Sequence, residues 1–140
     1  MESVTGREVY RSLRKTYRSL KREFKKIAED NGLTWAQFHA LYHINEEGIP
    51  FNYLSEHLHC HASNLTGLID RMIEKGIVQR EQSLEDRRVW LIKLTEKGRD
   101  FKNMLLPAYQ DSIEDSFAVL KQEELDTLYR LLEKLREGNC

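Results

Sequence analysis

The hydrophobic residues of this chain depart from helical periodicity in only one stretch, and that stretch constrains the fold most. Before Gly76, apolar residues recur every three or four positions, as on one face of an α-helix. After Gly76 they alternate, which predicts two strands, 77–81 and 89–94, joined by a polar turn. The helical period then returns. The sequence therefore predicts a mainly α protein with one small β-hairpin, an α+β fold.

Six helices are predicted around this hairpin. The first is long and ends at Asn31-Gly32, residues that tolerate a left-handed cap. The second begins at a capping box formed by Thr34 and Gln37. Pro107 is expected to kink the fifth helix. The remaining helices are expected over roughly 52–58, 62–75, 95–118 and 122–137.

A short helix, a tight turn and a longer helix come directly before the hairpin. Two helices joined by such a turn form a helix-turn-helix unit, whose second helix can enter the major groove of DNA. A hairpin that follows this helix can reach the neighbouring minor groove, where a narrow, electronegative slot attracts long cations. The order of elements therefore indicates a winged helix-turn-helix.

The net charge does not by itself indicate nucleic-acid binding. The chain has 22 Lys and Arg against 23 Asp and Glu, and segment 51–95 carries six residues of each sign, a sum of zero. DNA contact must then depend on where individual cations lie. The neutral sum leaves an alternative open, a winged-helix protein-interaction module that does not bind DNA.

Other classes of protein are not indicated. The sequence has no Gly-rich phosphate loop, nucleophile elbow or acid/base motif, so we expect no enzyme and no cofactor. No apolar run approaches the ~18 residues that a membrane span needs, and the first residues lack the pattern of a signal peptide. Cys60 and Cys140 form no disulfide framework. We therefore expect a cytoplasmic protein without membrane contact.

The segment 65–98, LTGLIDRMIEKGIVQREQSLEDRRVWLIKLTEKG, resembles the MarR (multiple-antibiotic-resistance regulator) family. The family's wing pattern, D-x-R followed by five residues and L-T, is matched by Asp86, Arg88, Leu94 and Thr95. In helix order the resemblance covers the whole chain. It implies a transcription regulator that binds double-stranded DNA as a homodimer at a pseudo-palindromic operator. It also implies a response to a ligand and, more often than activation, repression.

The resemblance assigns roles to individual residues. Arg88 would insert into the minor groove, Asp86 would hold its guanidinium in position, and Arg87 would meet phosphate. Without that context, Arg87-Arg88 would be an ordinary solvated turn. The positions of the recognition helix that face DNA in the family are Ser63, Asn64, Thr66, Gly67 and Arg71.

The chemistry of these recognition-helix residues suits DNA. The hydroxyls of Ser63 and Thr66 and the guanidinium of Arg71 suit phosphate, and the amide of Asn64 can pair with adenine. Gly67 lacks the longer side chain common at its position, which weakens the prediction of base reading there. Asp70 is expected to be a structural partner of a nearby arginine.

By the same resemblance, residues 1–140 form a single domain. A DNA-binding lobe is expected at 33–100, and a helical dimerisation region at 1–31 and 101–140. The last helix carries an apolar stripe: Leu125, Leu128, Leu131, Leu132 and Leu135. This stripe fits either intramolecular core or a dimer interface. Because the first helix has a matching face, we favour dimerisation. Its members are Tyr10, Leu13, Tyr17, Leu20, Phe24 and Ile27.

Family members often bind an anionic aromatic effector, or sense oxidants or metals, between the dimer helices and the DNA-binding lobe. The candidates for a small aromatic or anionic effector here are Tyr17, Trp35, His39, Tyr42 and His43. His39 and His43 are spaced i and i+4, which can seat zinc. Since no third ligand is evident, we expect ordinary packing or an effector hydrogen bond rather than a metal.

A second group resembles a metal cluster at first sight: His57, His59, Cys60 and His61. These residues straddle the tight turn and point in different directions, so no metal site is expected. Cys60 stands where the family usually has a buried aliphatic residue. The organic-hydroperoxide sensors of the family use a cysteine near the start of the first helix. This chain has none there, so that mechanism is not expected.

Overall fold

The computed structural model describes residues 2–58 and 62–139, without the side chains of residues 62 and 63. In chain order the elements are α1 Gly6–Asp30, α2 Trp35–His43, β1 Ile49–Pro50, α3 Phe51–His57, α4 Ala62–Glu74, β2 Val78–Gln82, β3 Trp90–Leu94, α5 Glu96–Phe117 and α6 Gln122–Gly138. The predicted mainly helical α+β fold is confirmed. The helix α5 continues through Pro107, and whether it bends there stays a prediction.

Capping chemistry in the sequence sets the helix boundaries. The hydroxyl of Thr34 accepts the N–H of Gln37 at 3.1 Å, and Gln37 Oε1 accepts the N–H of Thr34 at 3.1 Å, so the predicted capping box is present. The same Oε1 accepts a bond from Lys75 Nζ at 2.8 Å, which ties the end of α4 to the start of α2. Gly32 and Gly76 follow α1 and α4 with φ of +80° and +77°, where a side chain would be strained.

The sheet contains one strand that the hydrophobic pattern did not predict. β1 pairs antiparallel with β3, which lies between β1 and β2. Two residues are too few to show an alternating pattern, and Gly48 and Pro50 resemble chain breakers in the sequence. Pro50 is compatible with pairing because β1 is an edge strand. β1 thus connects the start of α3 to the hairpin.

The hairpin β2–β3 with its turn, residues 78–94, is hereafter the wing. Arg80 lies opposite Ile92 and Gln82 lies opposite Trp90. Because side chains alternate along a strand, Arg80 and Trp90 lie on the wing face that also carries the buried Ile92. The other face carries a salt bridge between Lys93 Nζ and Glu81 Oε2 at 2.7 Å. The two faces of the wing therefore differ in character.

Most of the core lies in the predicted DNA-binding lobe, and Leu105 of α5 joins it from outside those bounds. Its largest fully buried side chains are Leu41, Ile44, Leu54, Leu65, Ile69, Met72, Ile77, Val78, Ile92 and Leu105. By contrast, α1 buries only Phe24 and Ala28, and α6 buries none of its residues. Much of the apolar surface of the two terminal helices is therefore open in the isolated chain. Within residues 2–58 and 62–139, no helix is both long enough and apolar enough to cross a membrane.

The first turn of α5 is joined to the base of the wing and to the end of α4. Thr95 Oγ1 accepts the N–H of Gly98 at 3.1 Å and donates to the carbonyl of Gly76 at 2.5 Å. Gly98 is buried, and a Cβ at this position would overlap the carbonyl oxygen of Ile77. The close approach of α5 to the base of the wing therefore requires glycine.

Candidate nucleic-acid interface

The tip of the wing holds an arginine in a fixed orientation. Arg88 Nε donates to Asp86 Oδ1 at 3.1 Å, and Arg88 Nη2 donates to Asp86 Oδ2 at 3.2 Å. The backbone N–H of Arg88 donates to Oδ1 at 3.0 Å. These bonds, the side-chain ones first, lower the pKa of Asp86 below its ordinary value. The contact predicted between these two residues is therefore present in the structure.

Arg88 remains accessible despite this contact. Its side chain is 90% exposed, whereas that of Asp86 is 41% exposed. The turn is closed by backbone hydrogen bonds of 2.9 Å, from Ser83 to Val89 and from Val89 to Asp86. The hydroxyl of Ser83 also accepts the N–H of Glu85 at 3.3 Å. A turn held by its own bonds thus presents an oriented cation to solvent.

α4 presents its predicted DNA-facing residues to solvent. The exposed or partly exposed positions are Asn64, Thr66, Gly67 and Arg71. The opposite side packs into the core through Leu65, Leu68, Ile69 and Met72. Several predictions fall outside the described residues and stay as they stand: those on the side chain of Ser63 and on His59, Cys60, His61 and Cys140.

A second Asp–Arg pair joins α4 to the wing. Arg80 Nη2 lies 2.6 Å from Asp70 Oδ1, with side chains 36% and 54% exposed. The expectation that Asp70 has an arginine partner is confirmed. This pair positions Arg80 on the same side of the wing as the recognition helix.

A groove of about 360 Å³ lies between α3, α4 and the wing. It is lined by Phe51, Asn52, Thr66, Arg80, Arg88, Val89 and Trp90. Among the described residues that line it, none carries a carboxylate. The opposite side of the wing has a depression lined by acidic residues, among them Glu81, Glu85 and Asp86. The depression also contains Lys93, and the two groove arginines pair with Asp70 and Asp86, so the neutral sum of segment 51–95 largely reflects ion pairs.

Sequence reasoning missed Arg80 and Trp90 as residues of this surface. Both are partly exposed and line the groove. The alternation along β2 and β3 places them on one face once the register is known. The register between β2 and β3, which shows that Arg80 and Trp90 share a face, was available only from the structure.

Four of the five candidate effector residues belong to one aromatic cluster on α2. Trp35 and His39 are stacked, with ring centroids 5.9 Å apart. His39 and His43 follow at 5.2 Å, and Tyr42 and His43 at 5.1 Å. The predicted i, i+4 histidine pair therefore lies within a continuous row of rings.

Residues from distant parts of the chain complete this aromatic cluster. His57 of α3 lies 4.8 Å from His43, measured between ring centroids. Tyr109 of α5 contacts Phe24 and Phe38 edge to face, each at 5.1 Å. The sequence did not predict Tyr109 in this cluster, because helical periodicity does not show which helices pack together.

The electrostatics of the cluster reflect partial burial. Burial lowers the pKa of His43, and the positive charges of His39, His57 and Lys102 lower it further. Burial also lowers the pKa of Lys102, whose Nζ donates to the carbonyl of Ile44 at 2.7 Å. Among the described residues, no group of three or more His, Cys, Asp or Glu side chains is arranged to hold a metal ion.

Tyr17, the fifth candidate effector residue, is 59% exposed on α1. Burial raises the pKa of Tyr109, with smaller contributions from Tyr42 and Tyr17. The rings of Tyr42 and Tyr109 lie 6.1 Å apart, measured between centroids, in the region in which an effector was predicted.

Comparison with known proteins places this geometry in a family. The family model described as "MarR family" matches residues 33–90. The organic hydroperoxide resistance transcriptional regulator of Bacillus subtilis is 32% identical over 125 residues, which span 84% of this chain and 82% of that protein. The chain belongs to the MarR family.

Solved structures of MarR-family proteins share the fold. AbsC, a MarR family transcriptional regulator from Streptomyces coelicolor, matches with a TM-score of 0.85 and 26% identity over 99% of this chain and 97% of its own. A mutant MarR from E. coli, complexed with operator DNA, matches with a TM-score of 0.76 and 26% identity over 91% and 92%. The predicted family and the winged helix-turn-helix fold are confirmed, and family membership makes the chain a transcription regulator rather than an enzyme.

Proposed function

We propose that this MarR-family protein is a homodimeric, ligand-responsive repressor of transcription that binds a pseudo-palindromic operator. In this proposal α4 enters the major groove and Arg88 enters the adjacent minor groove. The observation that carries it is the arginine at the wing tip, held at two points by Asp86 and yet 90% exposed. The mutant MarR from E. coli, which was crystallised with operator DNA, has the same fold.

The side chains of the recognition helix supply the remaining DNA contacts in this proposal. Asn64 is exposed and reads base edges, while Thr66 and Arg71 are exposed and meet phosphate. The hydroxyl of Ser63 and the cation of Arg87 act on phosphate as well. Gly67 allows close approach of the helix backbone and reads no base.

A dimer accounts for the apolar surface that the isolated chain leaves open. The exposed apolar residues of the terminal helices include Tyr10, Leu13, Tyr17, Tyr129, Leu131, Leu132 and Leu135. Exposed apolar side chains that recur along one helix face are typical of a surface that packs against a partner. We assign residues 1–31 and 101–140 to dimerisation and residues 33–100 to DNA binding. A two-fold dimer would read half-sites one helical turn, about 34–36 Å, apart.

The effector site in this proposal is the aromatic cluster between α1, α2 and α5. Rings such as Trp35 and Tyr42 offer stacking surfaces, Lys102 offers positive charge, and the imidazoles of His39 and His43 offer ring N–H donors. This combination suits a small anionic aromatic molecule. The resemblance to a hydroperoxide-resistance regulator does not extend to a cysteine at the start of α1, because the chain has cysteines only at positions 60 and 140.

The double variant Arg87→Ala/Arg88→Ala tests the wing. We expect it to weaken binding to DNA from the upstream region of its own gene and to lower the slope of log affinity against log salt by about one per lost phosphate contact. Lys93→Ala is the matched control, since it removes a cation from the opposite face of the wing. Unchanged affinity and slope in the double variant would overturn the wing assignment.

The alternative, a protein-interaction module without DNA binding, rested on the neutral charge of segment 51–95. Arg80 and Arg88 lie at the groove beside α4, each paired with an aspartate, so the neutral sum is compatible with DNA contact by individual cations. If the wild-type protein bound no duplex at low salt, the alternative would replace the repressor.

A further inference from the structure

We propose that the groove between α3, α4 and the wing holds the sugar–phosphate backbone of one DNA strand. Arg80, Asn52 and Trp90 would be its contact residues, in addition to those that the family resemblance assigns. The inference rests on the proposed function, because it takes α4 and Arg88 to lie in neighbouring grooves of one duplex.

The position of the groove follows from the geometry of DNA. The major and minor grooves of a duplex are separated by one sugar–phosphate backbone, so a protein that occupies both must accommodate that backbone in between. In this protein the groove lies between the two elements concerned. Thr66 of α4 and Arg88 of the wing both line it.

The lining supplies the donors that a phosphodiester needs. Arg80 and Asn52 are exposed at the groove and carry N–H donors. Arg80 uses Nη2 for its bond to Asp70, and a guanidinium has five N–H donors in all. Asp70 itself does not line the groove, so its carboxylate orients the arginine without facing the bound phosphate.

Trp90 adds a flat apolar surface to this polar lining. Its side chain is 44% exposed, although large aromatic side chains in a folded domain tend to be covered. Its indole lies on the same wing face as Arg80. A deoxyribose adjacent to the bound phosphate provides an apolar partner for the ring.

The charge balance favours a phosphate within DNA over a free anion. Each guanidinium in the groove already has a carboxylate partner, Asp70 for Arg80 and Asp86 for Arg88. The groove therefore offers hydrogen bonds but little net positive charge. A phosphate that the rest of the duplex holds in place has a high effective concentration, whereas a free ion does not.

The double variant Asp70→Ala/Arg80→Ala tests the groove without changing the net charge. We expect it to weaken duplex binding about tenfold, the order expected for a charge-assisted hydrogen bond. The salt slope should change little, because the removed ion pair has no net charge. The loss should be similar for operator and unrelated duplexes, because backbone contacts carry no sequence information.

The matched control is Glu81→Ala/Lys93→Ala, which removes an ion pair of zero net charge from the opposite face of the same wing. It should bind DNA as the wild type does. Circular dichroism and thermal melting would verify that both double variants are folded. Equal affinity of the two double variants for DNA would overturn the groove assignment.

Tryptophan fluorescence gives a second, independent measurement on the full chain. The protein has two tryptophans, Trp35 and Trp90. Duplex DNA should protect the wild type from acrylamide quenching, and this protection should disappear in Trp90→Phe. Equal protection in that variant would show that Trp90 lies away from the DNA and would overturn its role.

The remaining outcomes separate this inference from the function on which it rests. Weak binding in Arg88→Ala together with full binding in Asp70→Ala/Arg80→Ala would keep the proposed function and overturn the groove. Absence of any duplex binding by the wild type would overturn both. A saturable change of Trp90 fluorescence with inorganic phosphate alone would assign the groove to free anions instead of DNA.

Discussion

The carboxylate of Asp86 contacts the guanidinium of Arg88 at two atoms, at 3.1 and 3.2 Å, while the arginine side chain stays 90% exposed. Arg80 and Asp70 form a second Asp–Arg pair on the wing, through one contact, with the arginine side chain 36% exposed. An acidic residue beside a DNA contact repels phosphate if its charge dominates. It favours binding if its main effect is to order a flexible arginine in advance, because less side-chain entropy is then lost on association.

The variant Asp86→Asn distinguishes these two effects. We expect DNA affinity to fall by about tenfold for the dimer, because two arginines lose their fixed orientation. Glu85→Gln is the control, since it removes the same charge from the same turn and leaves the Arg88 contact in place. Fluorescence anisotropy with a labelled duplex gives both values. Tighter binding by Asp86→Asn would show that the carboxylate acts mainly by repulsion.

The variant Leu128→Glu/Leu132→Glu tests the proposed dimer. Two glutamates in an apolar interface are costly because their charges lose solvation without gaining partners. We therefore expect a monomer in sedimentation velocity at micromolar concentration, with weak operator binding. Leu84→Glu, at a position 98% exposed on the wing, should remain dimeric. A dimer that persists in the double variant would place the interface elsewhere.

The variant Gly98→Ala tests the joint between α5 and the wing. The added Cβ would overlap the carbonyl oxygen of Ile77, so backbone must move, and we expect a loss of about 3 kcal/mol in the free energy of unfolding. In Gly138→Ala the added Cβ meets no atom within 4 Å, and alanine's higher helix propensity should leave stability unchanged or raised by up to ~1 kcal/mol. Urea unfolding compares the two. Equal free energies of unfolding for the two variants would show that the contact between Gly98 and Ile77 tolerates an added methyl group.

The lowered pKa of His43 predicts how stability depends on pH. Its ordinary value is 6.5, so as the pH falls the unfolded chain takes up this proton before the folded protein does. The contribution of His43 to stability should be complete above 6.5 and be lost as the pH falls toward the lowered pKa. In His43→Gln the free energy of unfolding should fall less on acidification. The difference in free energy of unfolding between wild type and variant at alkaline pH gives the cost of the substitution itself. Parallel curves of this free energy against pH would assign the pH dependence to other groups.

Local signals in the sequence were sufficient for the order of the six helices and for the two strands of the wing. The capping box of Thr34 and Gln37, the glycines that end α1 and α4, and the change of hydrophobic period at Gly76 all depend on neighbouring residues. The contact of Asp86 with Arg88 was implied by the family resemblance, and the two residues are separated by only one position. Short-range chemistry of this kind can be recognised in a sequence.

The parts that could not be predicted depend on contacts between distant residues. Tyr109 joins the aromatic cluster because α5 packs against α1 and α2, and no local pattern specifies that packing. β1 exists only because β3 offers it a hydrogen-bonding edge. Arg80 and Trp90 share a groove because of the register between β2 and β3. In each case the role of the residue can be recognised only when the tertiary structure is known.

The joint at Thr95 and Gly98 has a mechanical consequence. α5, the end of α4 and the base of the wing contact one another closely there. We therefore expect the DNA-binding lobe to rotate with α5 as one rigid body. In the proposed dimer, a small rotation between the two α5 helices would be amplified into a larger change in the distance between the two copies of α4. The protein would then respond to an effector by a change in the distance between its two recognition helices. The DNA-contacting surface of each subunit would keep its own structure.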